Sequence, residues 1–153
     1  MSRKALLPTF LAVCLVVGCG QTPDRQVAFS VDGHSARTGP IQDCDIALTT
    51  CDHHKSAVAV LGVPVGQPVQ ISVPDSVAQT PWQVVFRYHK NGQQIGGRSE
   101  VFAPGARKDY TLHVPDEGTL ESLEVQQYGA PELTGGEQTF RIRAAWVLDN
   151  KEH

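Results

Sequence analysis

The chain has 153 residues, which suits a single domain, and 41% of them are hydrophobic, which is enough to form a core. It carries 13 Lys and Arg residues against 16 Asp and Glu residues, for a formal net charge of −3. This acidic balance argues against nucleic acid as a partner, because nucleic-acid-binding domains carry clustered basic residues.

The N-terminus has the build of an export signal. Arg3 and Lys4 precede an apolar run at 5–17, which is shorter than the ~20 apolar residues of a membrane-spanning helix. Gly18 and Cys19 follow, and a small residue directly before a cysteine resembles the lipobox of bacterial lipoproteins. The resemblance implies cleavage before Cys19 and acylation of its thiol and its new amine. The alternative is an ordinary secretory signal in which Cys19 occurs by chance.

We therefore predict a lipoprotein signal peptide at 1–18, a lipidated tether at 19–25 and a folded domain at 26–150. Two or more acyl chains anchor a protein stably, so we expect localisation at the cell membrane, lipid-anchored, on its extracytoplasmic face. The mature chain is acidic, so the lipid anchor rather than surface charge must hold it on anionic lipid. The membrane is thus an expected partner.

Two cysteines remain in the folded part of the mature chain. An even number of cysteines in an exported chain predicts a disulfide, here between Cys44 and Cys51. A metal site formed by these cysteines with His53 and His54 is the alternative, although zinc sites usually have more closely spaced cysteine pairs. We assign no metal and leave open whether the two histidines bind one.

Apolar residues recur at every second position through most of the mature chain, which predicts β-strands. Asp32-Gly33 and Asn91-Gly92 are typical dipeptides of two-residue hairpin turns. One helical turn is predicted at 74–79. In chain order, the strands are predicted near residues 27–31, 34–38, 57–61, 69–73, 82–89, 93–95, 110–114, 123–126 and 140–148.

Other segments depart from this simple alternation. Segment 40–55, which holds both cysteines, and the Gly- and Pro-rich segment 129–138 are predicted as loops. The strand at 57–61 is apolar on both faces, which is typical of a central strand. Gly96-Gly97 is expected to break or bulge the return arm of the second hairpin.

Seven to nine short strands at spacings of about 8–12 residues, without a sustained helical period, favour an all-β fold. We predict an antiparallel β-sandwich of the immunoglobulin-like type. The strand faces that carry Trp82 and Trp146 should meet in one core, because a tryptophan on an alternating face is ordinarily buried.

No motif in the chain predicts catalysis. The sequence contains no G-x-S-x-G, no C-x-x-C and no Gly-rich phosphate loop. A blue-copper site is excluded, because Met1 is the only methionine and is removed with the signal peptide. We therefore predict that the protein is not an enzyme and has no cofactor.

Basic side chains recur around the second hairpin in an otherwise acidic chain. They form either a patch for an anionic ligand or scattered edge-strand charges that prevent pairing with other chains. The six residues are Arg87, His89, Lys90, Arg98, Arg107 and Lys108.

Five segments in order resemble an uncharacterised lipoprotein family of mycobacteria and related actinobacteria, which carries a domain of unknown function. The resemblance implies an actinobacterial cell envelope and assigns no activity and no functional residues. The segments are Val69–Pro74, Pro81–Val85, Tyr110–Leu112, Leu123–Gln126 and Arg143–Trp146.

The expected function is therefore that of a non-enzymatic, lipid-anchored binding or interaction domain on the outer face of the cytoplasmic membrane. Its ligand or partner would be an envelope protein or another envelope component. The alternative is a small-molecule or metal-binding lipoprotein that uses the Cys44–His54 loop or the Arg87–Lys108 basic patch.

Overall fold

The computed structural model describes residues 25–152, so the predicted signal peptide and Cys19 lie outside the described residues. The described part is almost entirely β. Its elements are β1 (Val27–Val31), β2 (His34–Thr38), β3 (Gln42–Cys44), β4 (Cys51–His53), β5 (Val58–Leu61), β6 (Val69–Ser72), α1 (Asp75–Ala78), β7 (Trp82–Lys90), β8 (Gln93–Arg98), β9 (Asp109–Leu112), a 3₁₀ turn (Pro115–Glu117), β10 (Thr119–Tyr128), β11 (Glu132–Thr134), β12 (Glu137–Thr139) and β13 (Ile142–Asn150).

These strands form two sheets and a separate ribbon. One sheet has four strands in the order β2-β1-β6-β9. The other has seven: β4-β3-β13-β10-β7-β8, with β5 paired to β13 in parallel. The chain passes between the sheets from β6 to β7, from β8 to β9 and from β9 to β10, as in the Greek key of immunoglobulin-type sandwiches. The predicted all-β sandwich is confirmed.

The core lies between the two sheets and follows from period-two alternation. β1 and β6 bury every second residue, and the inward face of β7 is buried throughout. Trp82 and Trp146 are both fully buried in one apolar cluster, as predicted. Trp82 packs edge-on against Phe102, with 4.6 Å between ring centroids.

Two hairpins lie where the sequence predicts loops. β3 and β4 pair with each other within segment 40–55, and β3 also pairs with β13. β11 and β12 form a two-stranded ribbon in the segment that starts at 129. These strands have three residues each and mostly polar side chains, so they offer no alternation to detect. They raise the number of strands within residues 25–152 to thirteen, above the predicted seven to nine.

Two strands have surroundings that differ from the prediction. β5 is not central: among the described strands it pairs with β13 alone, and Val60 is 55% exposed. The inward face of β13 begins only at Ala144, because Phe140 and Ile142 project beyond the core and are exposed. Apolar side chains therefore reach solvent at both places.

Gly96 and Gly97 do not interrupt β8, which pairs with β7 through both residues. The ring of Phe86 lies against Gly97, and a Cβ atom on Gly97 would be 2.3 Å from the Phe86 Cζ atom. Glycine is therefore required for the close approach of this ring, rather than for a break in the strand.

Gly97→Ala should lower the free energy of unfolding by about 1–3 kcal/mol, because the Phe86 ring must leave its site or β8 must shift. Gly96→Ala is the matched control, since no heavy atom lies within 4 Å of its Cβ position. Urea unfolding of the two variants measures the difference. Equal stabilities would mean that Phe86 can move without cost.

Candidate functional site

The two cysteines of the sandwich are bonded to each other. Cys44 ends β3 and Cys51 begins β4 directly opposite, with 3.9 Å between their Cα atoms. The predicted disulfide is confirmed, and neither sulfur is a free thiolate for a metal. His53 and His54 are exposed, and residues 25–152 contain no group of three or more His, Cys, Asp or Glu side chains placed to hold an ion.

Removing this disulfide should destabilise the domain moderately. In the chain-entropy model, a bond that closes so short a loop contributes about 2–2.5 kcal/mol. We expect the double variant Cys44→Ala/Cys51→Ala to lose that much free energy of unfolding in chemical denaturation. Reduction of the wild-type protein should reproduce the loss. A wild-type stability that does not respond to reductant would contradict the bond.

The predicted basic patch is not one surface. Arg107 and Lys108 precede β9, whereas Arg87, His89 and Lys90 lie along β7 in the other sheet. Most of these cations lie beside carboxylates, which leaves little net positive charge for a ligand. The pairs are Arg87 and His89 with Glu121, Lys90 with Asp116, Arg107 with Glu100, and Lys108 with Asp75.

Glu121 is the carboxylate that lies beside Arg87 and His89 of β7. The amide of Gln94 donates a hydrogen bond to its carboxylate, and this bond is the largest cause of a lowered Glu121 pKa. The hydrogen bond from His89 and the charge of Arg87 act in the same direction. Glu121 is therefore ionised at neutral pH, which argues against an anion site at this position.

A shallow cleft of ≈620 Å³ lies on the outer face of the seven-stranded sheet. Its charged side chains comprise two cations and two carboxylates above an aliphatic floor, so the cleft has no clear preference for either sign of charge. The charged residues are Arg87, Arg98, Glu124 and Asp149, and the floor includes Val85 and Val147.

A polar cluster that the sequence did not predict fixes the start of the domain. Nη2 of Arg25 donates to Oδ1 of Asp43 at 2.8 Å and to Oε1 of Gln127 at 2.9 Å. Nε1 of Trp146 donates to the Arg25 carbonyl at 2.7 Å, and the guanidinium lies 5.5 Å from the centroid of the tryptophan ring. The sequence assigns Arg25 to the tether, whereas the structure makes it part of the folded domain.

Gln127 extends this cluster into the core. Its side chain is fully buried, and Nε2 donates to the Ser76 carbonyl at 2.9 Å and to Oγ1 of Thr80 at 3.0 Å. Gln127 therefore connects β10 to α1 and to Arg25, at the start of the described chain. The available signal was a glutamine on the apolar face of a strand, after Leu123 and Val125.

An apolar groove of ≈640 Å³ lies beside this cluster. It forms where the β3–β4 turn, the residues after α1, the loop before β9 and the segment between β10 and β13 meet. No single segment is markedly apolar, so periodicity could not predict the groove. Its apolar walls include Ile46, Pro81, Val101, Ala103, Ala130 and Phe140.

Tyr128 and Arg143 give the groove its polar chemistry. The Tyr128 ring packs against Phe140 with 5.5 Å between centroids, and its hydroxyl donates to Oε1 of Gln126 at 2.8 Å. Burial raises the pKa of Tyr128, so the phenol is neutral. Nε of Arg143 donates to the Cys44 carbonyl at 3.2 Å. The groove is thus an apolar trough with one guanidinium in its lining.

Exposed apolar side chains cluster around the groove. The groove lies at the end of the sandwich where Arg25 enters the fold, and we call this the Arg25 end. Ile46, in the β3–β4 turn, is 82% exposed, and Leu133, on β11, is 80% exposed. Ile46 lies in a segment predicted as a loop and Leu133 lies between Glu132 and Thr134, so neither belongs to an alternating pattern in the sequence. The opposite end consists of the turns at 32–33, 64–67, 91–92 and 115–118.

The chain is similar to uncharacterized proteins of Mycobacterium bovis and of two strains of Mycobacterium tuberculosis. Each is 29% identical over 136 residues, covering 80% of this chain and 81% of the relative. No solved structure is significantly similar to it. The chain also matches the family described as "Protein of unknown function (DUF2771)" over residues 20–150, which includes every strand of the sandwich. The chain therefore belongs to the DUF2771 family, an uncharacterised family with mycobacterial relatives, as the resemblance predicted.

Proposed function

We propose that the protein is a lipid-anchored, non-enzymatic binding domain on the outer face of the cytoplasmic membrane, and that the apolar groove is its binding site. The observation that carries the proposal is the groove itself, with ≈640 Å³ of space and mostly apolar walls. Ligand sites typically have volumes of ~300–1,000 Å³, apolar linings and a few orienting polar groups. The non-enzymatic part of the proposal rests on the sequence, which has no catalytic motif.

The lining favours an amphiphile of the envelope as the ligand. An apolar chain would lie against Val101 and Phe140, and an anionic group would reach Arg143. The Arg143 guanidinium donates to a backbone carbonyl and forms no ion pair within residues 25–152, so its charge is available to a ligand. A guanidinium binds carboxylate or phosphate groups with two parallel hydrogen bonds.

The anchor is supported by the sequence and by the extent of the family match. Cys19 follows an apolar run of signal-peptide length, and the family match begins at residue 20. Within residues 25–152, no helix is long and apolar enough to cross a membrane. The alternative uses of the Cys44–His54 loop and the Arg87–Lys108 patch are less well supported, because the thiols are bonded and most of the cations are paired.

Groove binding can be tested by calorimetry of the purified mature protein with dodecyl phosphate below its micellar concentration. Ala130→Trp should fill the groove and weaken binding about tenfold, a loss of about 1.4 kcal/mol. Val65→Trp, at an exposed apolar residue of the opposite end, is the matched control and should leave affinity unchanged. Equal affinities of both variants, or no binding by wild type, would contradict the proposal.

Arg143 can be tested separately by changing the ligand's headgroup. Arg143→Gln should weaken the binding of dodecyl phosphate but not of dodecanol, and Arg143→Lys should retain part of the difference because it keeps a positive charge. An equal loss for both ligands would assign Arg143 to the structure of the groove rather than to recognition of the anion.

The anchor has a direct test by mass spectrometry. Trypsin cleaves after Arg25, so the predicted mature protein yields an acylated peptide that spans Cys19 to Arg25. Cys19→Ala should abolish this peptide. A mature protein with an unmodified Cys19, or with an N-terminus at another residue, would contradict the lipid anchor.

A further inference from the structure

We infer that the Arg25 end of the sandwich faces the bilayer, so that the groove opens directly onto lipid. The exposed side chains of Ile46 and Leu133, which we call the apolar tips, insert into the headgroup region. The inference rests on the proposed lipid anchor at Cys19. It adds the orientation of the domain and the source of its ligand, which is the adjacent membrane.

The chain is fixed where it enters the sandwich. Arg25 is held by Asp43, Gln127 and Trp146, which belong to three strands of the seven-stranded sheet. The chain that leads to the anchor therefore leaves the sandwich at one defined place, on the side of the groove.

The tether between Cys19 and Arg25 is short. Six Cα–Cα steps separate Cys19 from Arg25, and at ~3.3–3.6 Å per residue they span at most ~22 Å. The 10 residues of β10 give the sandwich a length of ~33 Å. The tether is therefore shorter than the domain. As a result, the domain cannot stand on the membrane by its opposite end with Arg25 held a full domain length away.

The Arg25 end presents apolar side chains to solvent. Ile46 and Leu133 project from the two hairpins that β3–β4 and β11–β12 form, and Phe140 and Ile142 are exposed between them. Exposed apolar side chains gain free energy at the boundary between headgroups and acyl chains, where interfacial helices bury their apolar face by ~5–10 Å. Arg141 and Glu132 at this end form an ion pair, and two paired charges cost less near lipid than two separate ones.

The fixed attachment, the short tether and the exposed apolar side chains together hold the groove at the membrane interface. An acyl chain could move from the bilayer to Phe140 and Val101 without crossing water, and Arg143 would lie at the level of the phosphates. The cleft on the outer face of the seven-stranded sheet would instead face away from the membrane surface, into the aqueous space of the envelope.

The test uses lipidated full-length mature protein in phosphatidylcholine and phosphatidylglycerol vesicles whose acyl chains carry bromine, a short-range quencher of tryptophan emission. Ile46→Trp and Leu133→Trp place a reporter at each tip, and Val65→Trp places one at the opposite end. These positions are all exposed, and Trp82 and Trp146 supply a constant buried background.

We expect the added emission of both tip variants to be largely lost in brominated vesicles, whereas that of Val65→Trp is retained. Similar quenching at both ends, or quenching at Val65→Trp alone, would overturn the orientation. Flotation of the same samples separates this failure from loss of the anchor: protein that floats with vesicles but is not quenched at its tips refutes only the orientation. Protein that does not float refutes both proposals.

Discussion

Trp146→Ala should lower the free energy of unfolding by about 3–5 kcal/mol, the range for truncating a large buried aromatic side chain. Trp146 is fully buried at the middle of β13 and belongs to the apolar core between the two sheets. Its loss would also remove the indole hydrogen bond to the Arg25 carbonyl. Urea denaturation followed by circular dichroism measures the change without relying on tryptophan emission.

Trp146→Phe separates the two contributions. It keeps most of the apolar volume but removes the Nε1 donor, so its cost should be smaller than that of alanine. Trypsin should also cleave the native variant faster after Arg25, because the carbonyl there loses its partner. Unchanged cleavage together with a large loss of stability would mean that Trp146 acts through packing alone.

Gln127→Leu should cost about 3 kcal/mol, because it leaves several buried polar groups without partners. The substitution retains much of the side-chain volume, so the loss in free energy of unfolding would come from the missing hydrogen bonds. It removes the acceptor of one Arg25 hydrogen bond and the donor to the Ser76 carbonyl and the Thr80 hydroxyl. Denaturant titration gives the difference in free energy.

The control for Gln127→Leu is Gln70→Leu on β6. Gln70 is exposed and accepts one hydrogen bond, from Thr111 at 2.8 Å, so its replacement should change stability by no more than ~0.5 kcal/mol. Equal effects of the two substitutions would show that burial of Gln127 does not matter. A large effect confined to Gln127 would support the cluster as the element that holds the start of the domain in place.

The sandwich itself was predictable from period-two alternation. β6 and β7 bury the residues that the alternation places inward, and both predicted two-residue turns form, with positive φ at Asp32 and Asn91. β3, β4, β11 and β12 were not predictable, because three polar residues become a strand only when a neighbour or a disulfide fixes their backbone.

The candidate site was predictable only in fragments. The disulfide followed from counting cysteines in an exported chain, whereas the groove depends on contacts between segments far apart in sequence, such as Ile46, Val101 and Phe140. The ion pairs of the basic residues could not be predicted for the same reason. Glu121 on β10 lies beside Arg87 and His89 on β7, and contacts between strands are not visible along one segment of sequence.

We propose that the ligand binds in the groove at the Arg25 end and not in the cleft on the outer face of the seven-stranded sheet. The most direct measurement is a titration of the isotopically labelled mature protein with dodecyl phosphate, followed through backbone amide chemical shifts. We predict shifts at Ala103, Gly129 and Ala130, which line the groove, and none at Gly96 and Ser122, which line the cleft. Shifts at the cleft with an unperturbed groove would contradict the claim.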